Sequence, residues 1–249
     1  MMEPKLNLTG LDQCCGDHRH SFRGLIKALM PLHTDRAAVR FVPFIERYFV
    51  WGNDPGEAHS ASPQPLAQPW VGVLHVPFDA PSWFEPSVSP ETIFETELWR
   101  RSLPACLGVI CLCEEWRARF ALRYPDIPTL VVRHPTVLEG GVVDDVRAAD
   151  CAAYQARPQV VQVGDWLRQL QAIFLLQAQG HRKLMLFKPY TQTFLEREMA
   201  ALHDYTDYTV YRMDFVDDAT YDDLLSRSVV LCLLYAAAAN NVVLECLAR

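Results

Sequence analysis

Short apolar runs punctuate this chain at residues 39–45, 70–76, 107–112 and 128–132, and again at 159–163, 184–187, 208–213 and 229–234. Runs of that length are too short for buried helices. Apolar at most positions, they have the pattern of parallel-sheet strands covered on both faces. Between them, residues 91–103, 114–124, 165–179, 194–202 and 220–226 carry apolar side chains at helical spacing, and another helix begins at Asn241. Strand followed by helix, repeated, predicts β-α-β units around parallel sheets. Nearer the start, Phe22, Leu25, Ile26, Leu29 and Met30 predict a helix capped by Ser21 and closed by Pro31. Proline, glycine and serine predict an exposed loop over residues 52–69.

The alternation breaks over residues 137–157, which are rich in Ala, Asp and Gly, and restarts at Gln159. The expected fold class is therefore α/β with two Rossmann-like lobes. The first covers residues 1–137, a linker covers 138–158, and the second lobe covers 159–249. The chain stops less than three turns into the helix that begins near Asn241. The second lobe is accordingly expected to be incomplete, without its closing strands and helix.

Composition narrows the function. Half of the residues are hydrophobic and 21% are charged, as in globular domains rather than disordered chains. The longest apolar stretch, residues 229–239, falls well short of the ~20 residues of a membrane helix, so no transmembrane segment is expected. No apolar run follows a basic start at the amino terminus, so no signal peptide is expected either. A net charge of −7 without a Lys/Arg cluster disfavours nucleic-acid partners. Adjacent Cys14 and Cys15, and the close pair Cys111 and Cys113, do not read as a secreted disulfide framework, which predicts reduced thiols and a cytoplasmic location. Cys14, Cys15, His18 and His20 are four zinc-ligand types within seven residues, but they lack C-x2-C spacing, so no metal site is expected.

Three segments carry chemistry. In Tyr235-Ala-Ala-Ala-Ala-Asn240-Asn241-Val-Val-Leu-Glu245, small residues lead from a strand into a helix start. Small side chains let a ligand approach the backbone, and the open N–H groups of a helix start favour phosphate. Glu245, one turn on, suits hydrogen bonds from a ribose. The plainer alternative makes Asn240 a helix cap and Glu245 a surface charge. In Val163-Gly164-Asp165-Trp166-Leu167-Arg168 a strand meets a glycine turn with an early cation. That is the edge of an α/β sheet where ligands bind, and Arg168 has the geometry to clamp a diphosphate. Third, His75 ends its strand ahead of Pro77-Phe78-Asp79, placed either to orient or deprotonate a sugar hydroxyl or to serve as a bonded structural histidine.

Several of these stretches resemble glycosyltransferases of the GT-B type. The resemblance runs through Phe215-Val216-Asp217-Asp218, then residues 221–228, and Ala239-Asn240-Asn241-Val242-Val243-Leu244-Glu245-Cys246-Leu247-Ala248. Residues 70–83 resemble the W-x-G-x-x-H-x-P stretch of such proteins, and residues 102–113 with His134-Pro135 resemble the path to their hinge. The resemblance implies a GT-B-like fold and sugar transfer from a nucleotide-sugar donor to a glycan or other hydroxyl acceptor, in the cleft between lobes. Asn240, Asn241 and Glu245 would contact the donor, Gly164 and Arg168 its phosphates, with Lys188 as a second phosphate partner. His75 would face the acceptor. Neither cofactor nor metal is implied, since cations and helix dipoles meet the phosphate charge. Where related enzymes place an acidic residue, this chain has Ala236 and Ala237. A rival reading is a GT-B-like binding or scaffold protein without turnover. A third, a nucleotide-sugar epimerase, lacks support because no G-x-G-x-x-G follows any strand.

Overall fold

A computed structural model describes residues 5–8, 27–34, 39–51, 63–134, 152–186, 191–200, 209–214, 216–237 and 239–248. The chain divides into two compact units, Met1–Val137 with Ala236–Ala239, and Leu138–Tyr235 with Asn240–Arg249. Both are built on parallel sheets, so the chain is an α/β protein with two Rossmann-like sheets.

The first unit holds β1 (Leu6–Asn7), β2 (Val39–Val42), β3 (Trp70–Leu74), β4 (Cys106–Cys111) and β5 (Thr129–Val131), hydrogen-bonded in that order. Every pairing is parallel. Leu6 also bridges His33 in parallel, so an extended segment lies on the flank of β1 away from β2. The chain therefore steps outward at β1 before returning to β2. Alternate side chains feed two faces, as the two-residue strand period requires. Val42, Trp70, Leu74, Val109 and Cys111 face a core completed by Ile93, Phe94, Trp99, Trp116 and Phe120. Phe41, Val71, Val73, Ile110 and Leu112 face the other way, beside Leu8 and Leu29.

Three short helices supply the first face: α1 (Pro90–Glu95), α2 (Glu97–Ser102) and α3 (Glu114–Arg123). The spacing over residues 91–103 predicts one helix, and the structure has two. Thr96 is the cause. Its hydroxyl donates to the Ile93 carbonyl at 2.7 Å and accepts from the Trp99 N–H at 3.1 Å, while its backbone is extended. A side chain that competes in this way ends one helix and caps the next. Trp99 then packs on Phe94, with ring centroids 4.7 Å apart, and edge-on to Trp70 at 5.8 Å. Both indoles are satisfied, Trp70 by the Ser102 carbonyl at 2.8 Å and Trp99 by the Tyr124 hydroxyl at 3.0 Å.

The second unit holds β6 (Gln159–Gln162), β7 (Arg182–Leu186), β8 (Val210–Met213) and β9 (Val229–Val230), with spatial order β8-β7-β6-β9. From β6 the chain builds outward through β7 and β8, then returns to the opposite flank of β6 as β9. Helices α4 (Ala172–Leu175), α5 (Thr191–Met199), α6 (Asp218–Ser226) and α7 (Asn241–Ala248) accompany it. Val160 and Met185 pack with Leu170, Ile173 and Phe174 on one face. Val161, Val163 and Leu184 pack with Leu224, Leu225 and Val242 on the other.

The helix expected over residues 165–179 is replaced by a turn, a bridge and the four-residue α4. Gly164 and Leu167 take left-handed backbone conformations, with φ of +78° and +54°, which no helix accommodates. Residues 167–169 pair instead with the segment after β9: Gln169 N–H donates to Leu233 O at 3.0 Å, and Tyr235 N–H to Leu167 O at 2.9 Å. Buried Gln162 completes the loop, donating to Gln169 O at 2.9 Å and accepting from Ile173 N–H at 3.1 Å. Leu167, Leu170 and Ile173 are buried all the same, so their spacing marks burial rather than helix. Of the expected linker, residues 138–151 lie outside the described residues and 152–156 are helical. Among the described residues no helix is long and apolar enough to cross a membrane.

Gly72 shows how tightly the first core is filled. A Cβ there would meet Ile45 Cγ1 at 2.7 Å and Trp70 Cζ3 at 2.9 Å. Gly72→Ala is expected to cost about 1–3 kcal/mol through overpacking, read as a lower denaturant midpoint with unchanged slope.

Candidate functional site

In an open parallel sheet, ligands bind beyond the carboxyl ends of the strands where strand order reverses, because the two departing connections leave a crevice there. In the second unit that point lies between β6 and β9. Gly164 follows β6, and Asn240 opens α7 after β9.

Gly164 has two jobs. Its backbone is left-handed, and a Cβ on it would come within 3.1 Å of the Arg168 guanidinium. That guanidinium lies over the turn: Nη1 donates to Trp166 O at 2.7 Å, Nε to Val163 O at 3.3 Å, and Nη2 to Asn240 Oδ1 at 3.4 Å. Burial pushes its pKa below the ordinary arginine value, with Cys232, Asp165 and Tyr221 acting in the opposite direction. Among the described residues no carboxylate forms an ion pair with it. Asn240 Oδ1 also accepts from Val243 N–H at 3.2 Å, so one oxygen caps α7 and holds Arg168. The N-terminal end of the α7 dipole thus lies beside the cation.

Asn240 is therefore a helix cap, as the plainer sequence reading has it. Glu245 is not the surface charge of that reading. It is 7% exposed, and Oε2 accepts from the Tyr221 hydroxyl of α6 at 3.0 Å. Asn241 is half-buried at the first position of α7. The structure brings Gly164, Arg168 and Asn240 into contact, with Asn241 adjacent and Glu245 one turn further. Lys188 lies outside the described residues, as do Cys14, Cys15, His18 and His20. Tyr221 was within reach of sequence reasoning, since it stands in the segment that carries the resemblance, but no spacing rule pairs it with Glu245.

His75 belongs to the first unit, at the carboxyl end of β3. Its Nε2 lies 2.8 Å from the Pro43 carbonyl, and its ring stacks on Phe44 at 3.8 Å with 15° between planes. A carbonyl only accepts, so Nε2 carries the proton. The ring borders an apolar cavity of about 400 Å³ against the face that carries Val73 and Ile110.

Glu46 has no place in the sequence-based site, and beside Arg47 it looks like one of an ordinary pair of charged residues. It is fully buried. Oε1 accepts from the N–H groups of both His75 and Val76 at 2.7 Å, while Oε2 has no hydrogen-bond partner among the described residues. Burial, against those hydrogen bonds, pushes its pKa from 4.5 up to about 7. The folded chain then holds this proton more tightly than the unfolded one. The group's contribution is whole below pH 4.5, declines as pH rises, and is fully lost above about pH 7, a loss of roughly 3 kcal/mol. Chemical unfolding followed from pH 4.5 to 8 should show that decline, and Glu46→Gln should flatten it.

No family model matches the chain, and comparison with curated proteins gives no match. Among solved structures, a TarM mutant from S. aureus in complex with fondaparinux, alpha-GlcNAc-glycerol and UDP aligns with a TM-score of 0.46 at 11% identity. The alignment covers 72% of this chain and 35% of that one, so the chain matches about a third of that protein's length. A likeness of that size leaves function to be argued from the residues of this chain.

Proposed function

We propose that this chain transfers a sugar from a nucleotide-sugar donor to a hydroxyl acceptor, on a glycan or another molecule. The observation that carries the reading is Arg168. A half-buried guanidinium that forms no ion pair with a carboxylate among the described residues, at a strand-order reversal and beside a helix N-terminus, is a site prepared for an anion. Taking a cation out of water costs several kcal/mol unless opposite charge compensates it. Three neutral oxygens, one of them at 3.4 Å, and the nearby charge of Asp165 meet that cost only in part.

A diphosphate supplies what is missing. In this reading it takes two guanidinium donors and displaces the long Asn240 contact. The N–H groups at the start of α7 meet further phosphate oxygens, with Lys188 as a second cation. Gly164 keeps the main chain clear of a side chain where the phosphates approach. Glu245 accepts from the ribose hydroxyls, held for that role by Tyr221. As the bond from sugar to diphosphate breaks, negative charge grows on the leaving group, and donors fixed in advance stabilise that charge most. His75 acts on the acceptor side, orienting the hydroxyl. The scheme draws on cations and a helix dipole, and calls for neither metal nor cofactor.

Ala236 and Ala237, standing where related enzymes carry an acidic residue, favour one rival: a protein that binds the donor without turning it over. Release of free nucleotide diphosphate from a nucleotide sugar separates the two.

The test is thermal unfolding with UDP, GDP and their sugars. Ligand at 100 times its dissociation constant should stabilise the fold by about 2.7 kcal/mol, and Arg168→Gln or Glu245→Ala should erase most of that gain. Equal gains in wild type and Arg168→Gln would refute the donor site.

A further inference from the structure

His75 is held by one stretch of chain. Pro43, Phe44 and Glu46 follow β2 directly, and each makes a different contact: a carbonyl to the imidazole Nε2, a ring stacked on the imidazole, and a carboxyl to the main chain. The carboxyl contact is the unusual one. Oε1 takes both consecutive N–H groups where β3 ends, at His75 and Val76, each at 2.7 Å. The other carboxyl oxygen is buried with no hydrogen-bond partner among the described residues. A carboxyl placed only to satisfy two N–H groups gains nothing from a second, orphaned oxygen, because leaving a buried acceptor unsatisfied costs about 1–3 kcal/mol. A backbone carbonyl or glutamine would accept the same hydrogen bonds with no charge to bury.

We infer that Glu46 is a positioning residue for His75: by gaining or losing a proton, its carboxyl sets the main-chain turn that carries the imidazole to the acceptor side of the reaction. In the ionised form Oε1 is a strong double acceptor, and the turn at His75 and Val76 is tight. In the acid form the same oxygen accepts weakly, and the turn is held less firmly while the imidazole keeps its contacts to Pro43 and Phe44. Burial brings the exchange to about pH 7, within the working range of a cell. Among the described residues, His75 meets the carboxyl through its main-chain N–H, and the titratable side chain set against it is the Cys111 thiol from β4. Burial pushes that thiol up to about 12, and it registers the Glu46 charge. The assignment rests on the reading of His75 as the acceptor-side residue, but its test does not require sugar transfer.

The experiment is nuclear magnetic resonance of the full chain without ligand, following the His75 imidazole nitrogens and the amide exchange of His75 and Val76 from pH 5.5 to 8.5. Wild type should show an Nε2–H tautomer whose resonances shift with an inflection near pH 7, and at least tenfold slower amide exchange above the inflection than expected for an unchanging turn. Glu46→Gln should keep the tautomer and the fold but lose the inflection. Glu46→Ala should lose amide protection at both positions. An inflection that survives in Glu46→Gln belongs to the imidazole itself and overturns the proposal. His75 signals and exchange that do not respond to pH in wild type overturn it without any variant. Because no donor is present, failure here leaves the nucleotide-binding result standing, and failure of nucleotide binding leaves this one readable.

Discussion

Holding a half-buried guanidinium with no carboxylate ion pair among the described residues is an arrangement that the second unit has to sustain through its backbone. Arg168 draws on the carbonyls of Val163 and Trp166, and both are oriented by the turn that Gly164 and Leu167 make in left-handed conformations. That turn is held in turn by pairing with residues 233–235 and by the buried Gln162 amide. Replace the loop with a regular helix, and the Trp166 carbonyl would be spent on a helical hydrogen bond, costing Arg168 its shortest contact. The interruption of helix after β6 and the presence of the cation are therefore one feature.

The parallel sheets explain why both notable side chains sit where they do. Strand ends and helix starts in such folds leave main-chain N–H groups unpaired, and something must accept them. In the second unit the Asn240 side chain does this at the start of α7 and ties the helix to Arg168. In the first, Glu46 does it beyond β3 and fixes His75 from behind. One is a neutral acceptor near a cation; the other is an ionisable acceptor in an apolar core. The same structural need is met with different consequences for charge.

Much of this was legible in the sequence, for physical reasons. The cores of β3, β4 and β6 read correctly because apolar runs bounded by turn residues have few other ways to fold. Arg168 and Asn240 stood out through position, each just beyond a strand. What stayed hidden depends on contacts distant along the chain or on single dihedral angles. Leu167, Leu170 and Ile173 keep helical spacing while buried in a loop, and nothing local announces the φ of +54° at Leu167. Thr96 divides a helix through a side-chain bond that competes with the backbone. Strand β1 is two residues long, too short to carry a period. Glu46 meets His75 across 29 residues, and only the folded chain shows a carboxyl there.

The central claim is that Arg168 is an anion site awaiting a diphosphate. Its most direct test is to observe the arginine itself, following the Nε–H resonance of Arg168 with the Asn241 and Val242 amides while UDP is titrated into isotopically labelled protein. These signals should move together along one saturable curve, and inorganic diphosphate should reproduce most of the Arg168 shift. If UDP binds while these signals stay still, the nucleotide sits elsewhere, and the half-buried cation belongs to the architecture of the loop alone.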